Sequence, residues 1–176
     1  MNDKLKRLLL ASVFLALGAV LPLFTMQIKE IGDSLLPMHL PVMLCGLICG
    51  AKYGGAIGLI LPFFRAVTFG MPPLFPNAVW MALELATYGF VIGLLYARKP
   101  HGTARLYACL IVAMLTGRIV WGISKAVLLG LRGSVFTFGA FISGGFADAA
   151  LGILLQLVLI PAVMTIYHRH YRSKLK

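Results

Sequence analysis

Apolar residues fall into six runs along the chain, separated by short polar or Gly/Pro-rich segments. A run of about 20 apolar residues is long enough to cross a bilayer as a helix. The segments between the runs hold turn-forming residues, as in GMPPLFP at 70–76. The pattern predicts one membrane domain over residues 1–176, with helices at about 5–25, 40–50, 56–69, 77–97, 105–130 and 140–167. The second of these is short for a full crossing.

The composition indicates the same class of fold. Hydrophobic residues make up 60% of the chain, charged residues only 12%, and the mean hydropathy is +0.94. These values lie far outside the range of soluble domains. We therefore expect an all-α integral membrane protein, a six-transmembrane-helix bundle whose surface contacts the lipid bilayer.

The net charge of +11 is concentrated outside the apolar runs. Lys4, Lys6 and Arg7 precede the first run, and Arg169 and the basic residues after it follow the last. With the N-terminus inside, the outer loops would hold only Lys29 and Arg132, which predicts that both termini are cytoplasmic. The basic surface with interleaved aromatic residues that binds nucleic acid is not visible, so we expect no nucleic-acid partner.

Five ionisable residues lie inside the predicted helices, where an ionised side chain costs several kcal/mol unless it finds a partner, a cavity or a ligand. They are Arg65, Glu84, Arg118, Lys125 and Asp148. All except Arg118, which lies deeper, fall in the outer third of the predicted bundle. They indicate a solute pocket, or alternatively interhelical ion pairs of Arg65 with Glu84 and of Lys125 with Asp148.

Polar and aromatic residues accompany these charges at helical spacing. On the fourth helix Asn77, Trp80, Glu84 and Tyr88 follow i, i+3, i+7 and i+11. On the fifth helix the same spacing relates Arg118, Trp121 and Lys125. The two stripes predict a pocket for a small polar or carboxylated solute, although Trp80 and Trp121 could instead be interfacial residues.

Signs of catalytic chemistry are missing from the sequence. It contains no GxxxxGK[ST] phosphate-binding loop and no arrangement of metal ligands or of a nucleophile with a base. We expect no enzymatic activity, no metal site and no cofactor bound by this chain. A self-sufficient carrier in which Glu84 and Asp148 relay protons is an alternative, but it would be expected to contain inverted repeats or paired broken helices, and none is visible.

One histidine lies beside the predicted pocket. His39 stands between Pro37 and Pro41, in the segment that leads into the second helix. Proline restricts the residue before it and donates no backbone hydrogen bond, so we expect a break here at the pocket mouth. Whether His39 contacts ligand or caps the turn stays open.

Two stretches resemble the substrate-binding S components of energy-coupling factor (ECF) vitamin transporters. They are LLPMHLPVMLCGLICGAKYGGAIGLILPFFRAVTFGMPP at 35–73 and MALELATYGFVIGLLY at 81–96, within a likeness that runs from about residue 8 to 168. The resemblance implies a bacterial plasma-membrane protein with six helices and a vitamin pocket near the outer surface. It also implies a partner T subunit with two ATPase subunits, which hydrolyse ATP while the S component topples to release its substrate inward.

Among the branches of this family, the sequence is most similar to the pantothenate-type S components. An anionic vitamin needs a fixed cation, for which Arg65 or Lys125 is suited, and hydrogen-bond partners such as Asn77, Tyr88 and Gln27. The acids Glu84 and Asp148 would also suit a cationic or guanine-like ligand, such as a queuosine precursor. S components for cobalamin or pyridoxine are further alternatives.

The resemblance also implies a docking face for the T subunit. Members of the family commonly use an AxxxA pattern on the first helix. Here Ser12 and Ala16, flanked by Ala11 and Gly18, give an imperfect match. Small residues allow close approach of helices, either to a partner or within the bundle itself.

Overall fold

A computed structural model describes residues 2–24, 35–97 and 102–173, and these residues are helical throughout, apart from turns and short connections. Seven α-helices follow one another along this part of the chain. They are α1 (Asp3–Val20), α2 (His39–Cys49), α3 (Ala51–Phe69), α4 (Val79–Tyr96), α5 (Thr103–Gly130), α6 (Phe138–Ile142) and α7 (Ala150–Ser173). A 3₁₀ turn at Leu21–Leu23 extends α1. The prediction of an all-α fold is confirmed.

Among the described residues, four helical segments are long and apolar enough to cross a membrane: Asp3–Leu23, Leu74–Tyr96, Thr103–Gly130 and Ala150–Arg169. The helix α2 has only 11 residues, as its short apolar run predicts. The membrane location follows from these spans. The count of six crossings and the orientation of the termini stay predictions.

The third and the sixth predicted helices differ most from expectation. The helix α3 begins at Ala51 rather than 56, because Gly50 makes the turn alone at φ +100°, a value that favours glycine. The predicted helix at 140–167 is divided into α6 and α7. Between them lie a π-helical turn at Ser143–Ala147 and the two turn residues 148–149.

The helices α2, α3 and α4 pack with their backbones in contact. A Cβ atom added to Gly54 of α3 would lie 2.6 Å from the Cα atom of Gly46 in α2. On α4, added Cβ atoms at Gly89 and Gly93 would meet the backbone of Gly54 and of Ala51. Because only glycine permits so close an approach, these three helices form the tightly packed centre of the bundle.

The remaining helices surround this centre. The helix α1 packs on α2 and α3, where Gly18 admits the side chain of Leu61. On the opposite side α5 packs along α4, and α7 contacts α5 and α2. One apolar cluster joins α1, α2 and α3 with Leu85 of α4. A second joins α2, α4, α5 and α7 through Met43, Ile92, Leu110 and Ile160.

Candidate functional site

The polar stripes of α4 and α5 face each other inside the bundle. Trp80, Glu84 and Tyr88 on α4 are all buried, as are Arg118 and Trp121 on α5. This follows from the i, i+3, i+7 spacing, which places such residues on one face of a helix. The stripes therefore meet at the α4–α5 interface.

The carboxylate of Glu84 is the centre of this polar region. Its Oε1 atom accepts hydrogen bonds from Arg118 Nη1 at 2.8 Å and from the hydroxyl of Tyr88 at 3.2 Å. The Nε2 atom of His39 lies 3.5 Å from the same oxygen without forming a hydrogen bond to it. The positive charge of Arg118 compensates the buried carboxylate, so this pair contributes no net charge.

A cavity of about 140 Å³ adjoins the pair, bounded by α4, α5, the π-helical turn and α7. Its lining is mostly apolar, with Tyr88, Arg118 and Gln156 as the polar members. Among the residues that the structure describes, no hydrogen-bond partner reaches Arg118 Nε and Nη2 or Gln156 Nε2. Buried polar atoms are nearly always paired, so unpaired N–H donors beside a cavity suit a ligand with acceptor oxygens.

A cluster of aromatic rings lies further along α5. The ammonium of Lys125 is 4.5 Å from the ring centroid of Trp121, 5.5 Å from that of Trp80 and 5.3 Å from that of Phe136. All three distances fall within the range of cation–π attraction. The guanidinium of Arg118 lies 5.8 Å from the centroid of Trp121. The carboxylate of Glu84 is thus linked through Arg118 and Trp121 to Lys125.

Arg65 is placed differently from the sequence expectation. Its guanidinium donates a hydrogen bond to the carbonyl of Ala19 at the end of α1 and lies 5.1 Å from the ring centroid of Phe69. The cavity lining does not include it. The partner of Glu84 is Arg118, so the alternative pairing of Arg65 with Glu84 is wrong, because α3 presents Arg65 to α1 rather than to α5.

Asp148 and His39 also differ from expectation. Asp148 is exposed, because the π-helical turn and the break before α7 interrupt the helix that would have buried it. His39 is 2% exposed, lies in the first turn of α2 and contacts Glu84, so its placement at a pocket rim is wrong. Pro41 fits in this first turn because the backbone N–H it lacks would have no helical partner there.

Other predicted residues stand as follows. Asn77 is half-buried in the irregular helical turn Leu74–Ala78 that precedes α4. Gln27 lies outside the described residues. On α1, Ser12 and Ala16 are exposed, whereas Ala11 and Gly18 are buried against α2 and α3. The exposed face with small residues therefore holds Ser12 and Ala16 but not Ala11.

Two residues at the site were missed by sequence reasoning. Gln156 is 1% exposed on α7, and Phe136 lies in the connection between α5 and α6. Gln156 is the lone amide in the apolar run of its helix, and a search for uncharged polar residues within spans would have found it. Phe136 lies in a short connection without helical spacing, so no periodic pattern marks it.

Long apolar helices around a cavity lined by buried polar donors define the class, a helical membrane protein that can bind a small solute. The described part of the chain contains no group of three or more His, Cys, Asp or Glu residues able to hold a metal ion. A family model, the substrate-specific component of ECF transporters, matches residues 6–169, and the chain belongs to this family. No match was found among curated proteins or among solved structures.

Membership in this family defines the general role of the chain. Substrate-specific components of ECF transporters are substrate-binding subunits of transporters and not enzymes. The family implies association with a transmembrane T subunit and with ATPase modules. The resemblance in the sequence to S components is confirmed, and the expectation that the chain is not an enzyme is confirmed with it.

Proposed function

We propose that this chain binds a small anionic vitamin, pantothenate, and delivers it inward as the S component of an ECF importer. The observation that carries the proposal is the cavity lined by Arg118 and Gln156, whose buried N–H donors have no hydrogen-bond partner among the described residues. Pantothenate offers such acceptors in its carboxylate, amide and hydroxyl groups.

The charges at the site favour an anion. The buried carboxylate of Glu84 is compensated by Arg118, and Lys125 adds a further positive charge beside Trp121. Arg118 and Lys125 are seven residues apart on α5, roughly 10 Å along a helix. Lys125 lies outside the lining of the cavity. A ligand that extends beyond the cavity along α5 could place its carboxylate at Lys125 and its amide and hydroxyl groups at Arg118, Tyr88 and Gln156.

The same charges weaken the alternative of a cationic or guanine-like ligand. Such a ligand would need an uncompensated acid, yet the carboxylate of Glu84 already accepts hydrogen bonds from Arg118 and Tyr88. Asp148 is exposed at a turn. The same observations give little support to a proton relay between Glu84 and Asp148 in a self-sufficient carrier.

The transport cycle we propose needs partners. Six crossings would place both termini in the cytoplasm of a bacterial cell, with the pocket open outward. The T subunit would dock on the face of α1 that exposes Ser12 and Ala16, and two ATPase subunits would hydrolyse the ATP. The chain itself would bind no cofactor, and it would topple in the membrane to release the vitamin inward.

Direct identification of the ligand tests this function. The full chain is purified in detergent, and any small molecule that accompanies it is identified by mass spectrometry. Titration with pantothenate is then expected to give saturable binding of one molecule per chain. Recovery of a nucleobase-like compound together with no response to pantothenate would overturn the assignment. Proton-driven uptake into proteoliposomes that contain only this chain would overturn the dependence on an ATPase module.

A further inference from the structure

We infer that Lys125 is a specificity-determining residue, a tethered cation that fills an aromatic cage and thereby excludes cationic solutes. The inference rests on the proposed function, because it specifies which class of ligand the site rejects. The cage is the group of three rings around the Lys125 ammonium, Trp80, Trp121 and Phe136.

The cage is assembled from three separate elements. Trp80 belongs to α4, Trp121 and Lys125 to α5, and Phe136 to the connection between α5 and α6. Their ring centroids lie 4.5 to 5.5 Å from the ammonium nitrogen. A lysine at a membrane surface does not require contact with three aromatic rings. Here the three contacts together hold the ammonium in position.

The walls of the cage are held by packing. Trp80 and Trp121 are both buried, and the rings of Trp121 and Phe136 meet edge to face with centroids 5.9 Å apart. Behind Trp121 lies the π-helical turn, where a Cβ atom added to Gly144 would lie 3.3 Å from the indole. The indole therefore packs directly against the glycine backbone of this turn. The rings should keep their places when the lysine is shortened.

Aromatic cages of this kind bind quaternary ammonium groups, because the negative faces of the rings attract a desolvated cation. Here the chain supplies that cation itself. A tethered group acts at an effective concentration of about millimolar or higher, so a dilute cationic solute cannot displace it. The ammonium also repels a second cation, while it attracts a carboxylate. One side chain thus gives selection for anions and rejection of cations.

Radiolabelled choline is the probe that tests this inference, by equilibrium dialysis against the purified full chain in detergent. We expect Lys125→Ala to bind choline saturably and at least tenfold more tightly than the wild-type chain. Lys125→Arg, which keeps a cation in the cage, is expected to bind choline as poorly as the wild type. The double variant Lys125→Ala/Trp121→Ala should lose the gain, because one wall of the cage is gone.

Lys125→Gln is measured in parallel, since it keeps most of the side-chain length without the charge, and size-exclusion chromatography checks that each variant is folded. If neither neutral variant gains affinity for choline, or if the gain survives Trp121→Ala, the inference is wrong. Pantothenate binding by the wild-type chain is a separate measurement. Its absence would refute the proposed vitamin and leave a choline gain in Lys125→Ala as support for the cage.

Discussion

Arg118 of α5 donates a hydrogen bond of 2.8 Å to the carboxylate of Glu84 on α4, and both side chains are almost fully buried. Removing one partner of a buried ion pair leaves an uncompensated charge, at a cost of about 3–5 kcal/mol. We therefore expect Glu84→Met and Arg118→Met each to lower the thermal unfolding midpoint strongly. The double variant should lose less stability than the two single losses added together. If the double variant loses as much stability as the two single variants added together, the two residues are not coupled.

Gln156 allows ligand binding and stability to be separated. Its buried amide nitrogen has no partner among the described residues, so Gln156→Leu removes an unsatisfied polar group and should not lower the free energy of unfolding. A ligand that accepts a hydrogen bond from this amide should bind about tenfold more weakly, the effect of roughly 1.4 kcal/mol. Calorimetric titration with pantothenate measures the affinity.

The control for Gln156 lies on the same helix and lines the same cavity. Ile153→Leu conserves volume and removes no polar group, so affinity for pantothenate should stay within about threefold. Equal losses of affinity in both variants would mean that cavity shape, rather than the amide, determines binding.

Arg65 should affect stability and not ligand affinity. Its guanidinium meets the Ala19 carbonyl, one of the acceptors left without a helical partner at the end of α1, where the helix dipole is negative. We expect Arg65→Met to cost about 1.5–3 kcal/mol of stability, the range for hydrogen bonds to charged groups, and to leave pantothenate affinity unchanged. The matched variant Lys125→Gln should lower the affinity for pantothenate. A loss of affinity in Arg65→Met without loss of stability would show that Arg65 belongs to the binding site.

The backbone contact at Gly89 predicts that alanine is tolerated far less there than at Gly130. An added methyl at Gly89 would meet the backbone of Gly54, which cannot move aside as a side chain could. We expect Gly89→Ala to abolish folding or to lower the unfolding midpoint severely. Nothing lies within 4 Å of a Cβ atom at Gly130, so Gly130→Ala should be neutral or slightly stabilising. Comparable yields of folded protein for both variants would contradict the packing described.

Docking on the T subunit can be tested on the exposed face of α1. Ala16→Leu enlarges a small exposed residue and should reduce recovery of co-expressed T and ATPase subunits with the tagged chain. Pantothenate binding by the isolated chain should persist. Val13→Leu, which adds only one carbon at a neighbouring exposed position, is the conservative control and should leave recovery unchanged. Full recovery with Ala16→Leu would place docking elsewhere.

Helical spacing was sufficient to predict the stripes of α4 and α5, because buried positions on a helix recur every three or four residues. It could not determine which charges pair, since the rotation of one helix against another depends on packing. Arg65 therefore turned out to contact the Ala19 carbonyl, and Glu84 to pair with Arg118. The exposure of Asp148 depends on a π-helical turn, which shifts every following side chain and leaves no mark in hydropathy.

Trp80 and Trp121 are the two tryptophans of the sequence, and both line the aromatic cage around Lys125. The tryptophan fluorescence of the whole protein therefore originates at the proposed binding site. Indole emission depends on nearby charge and on contact with water, so a solute that enters there should change the intensity or the wavelength of that emission. The chain carries its own optical reporter, and ligands can be screened against it without a label or a partner subunit.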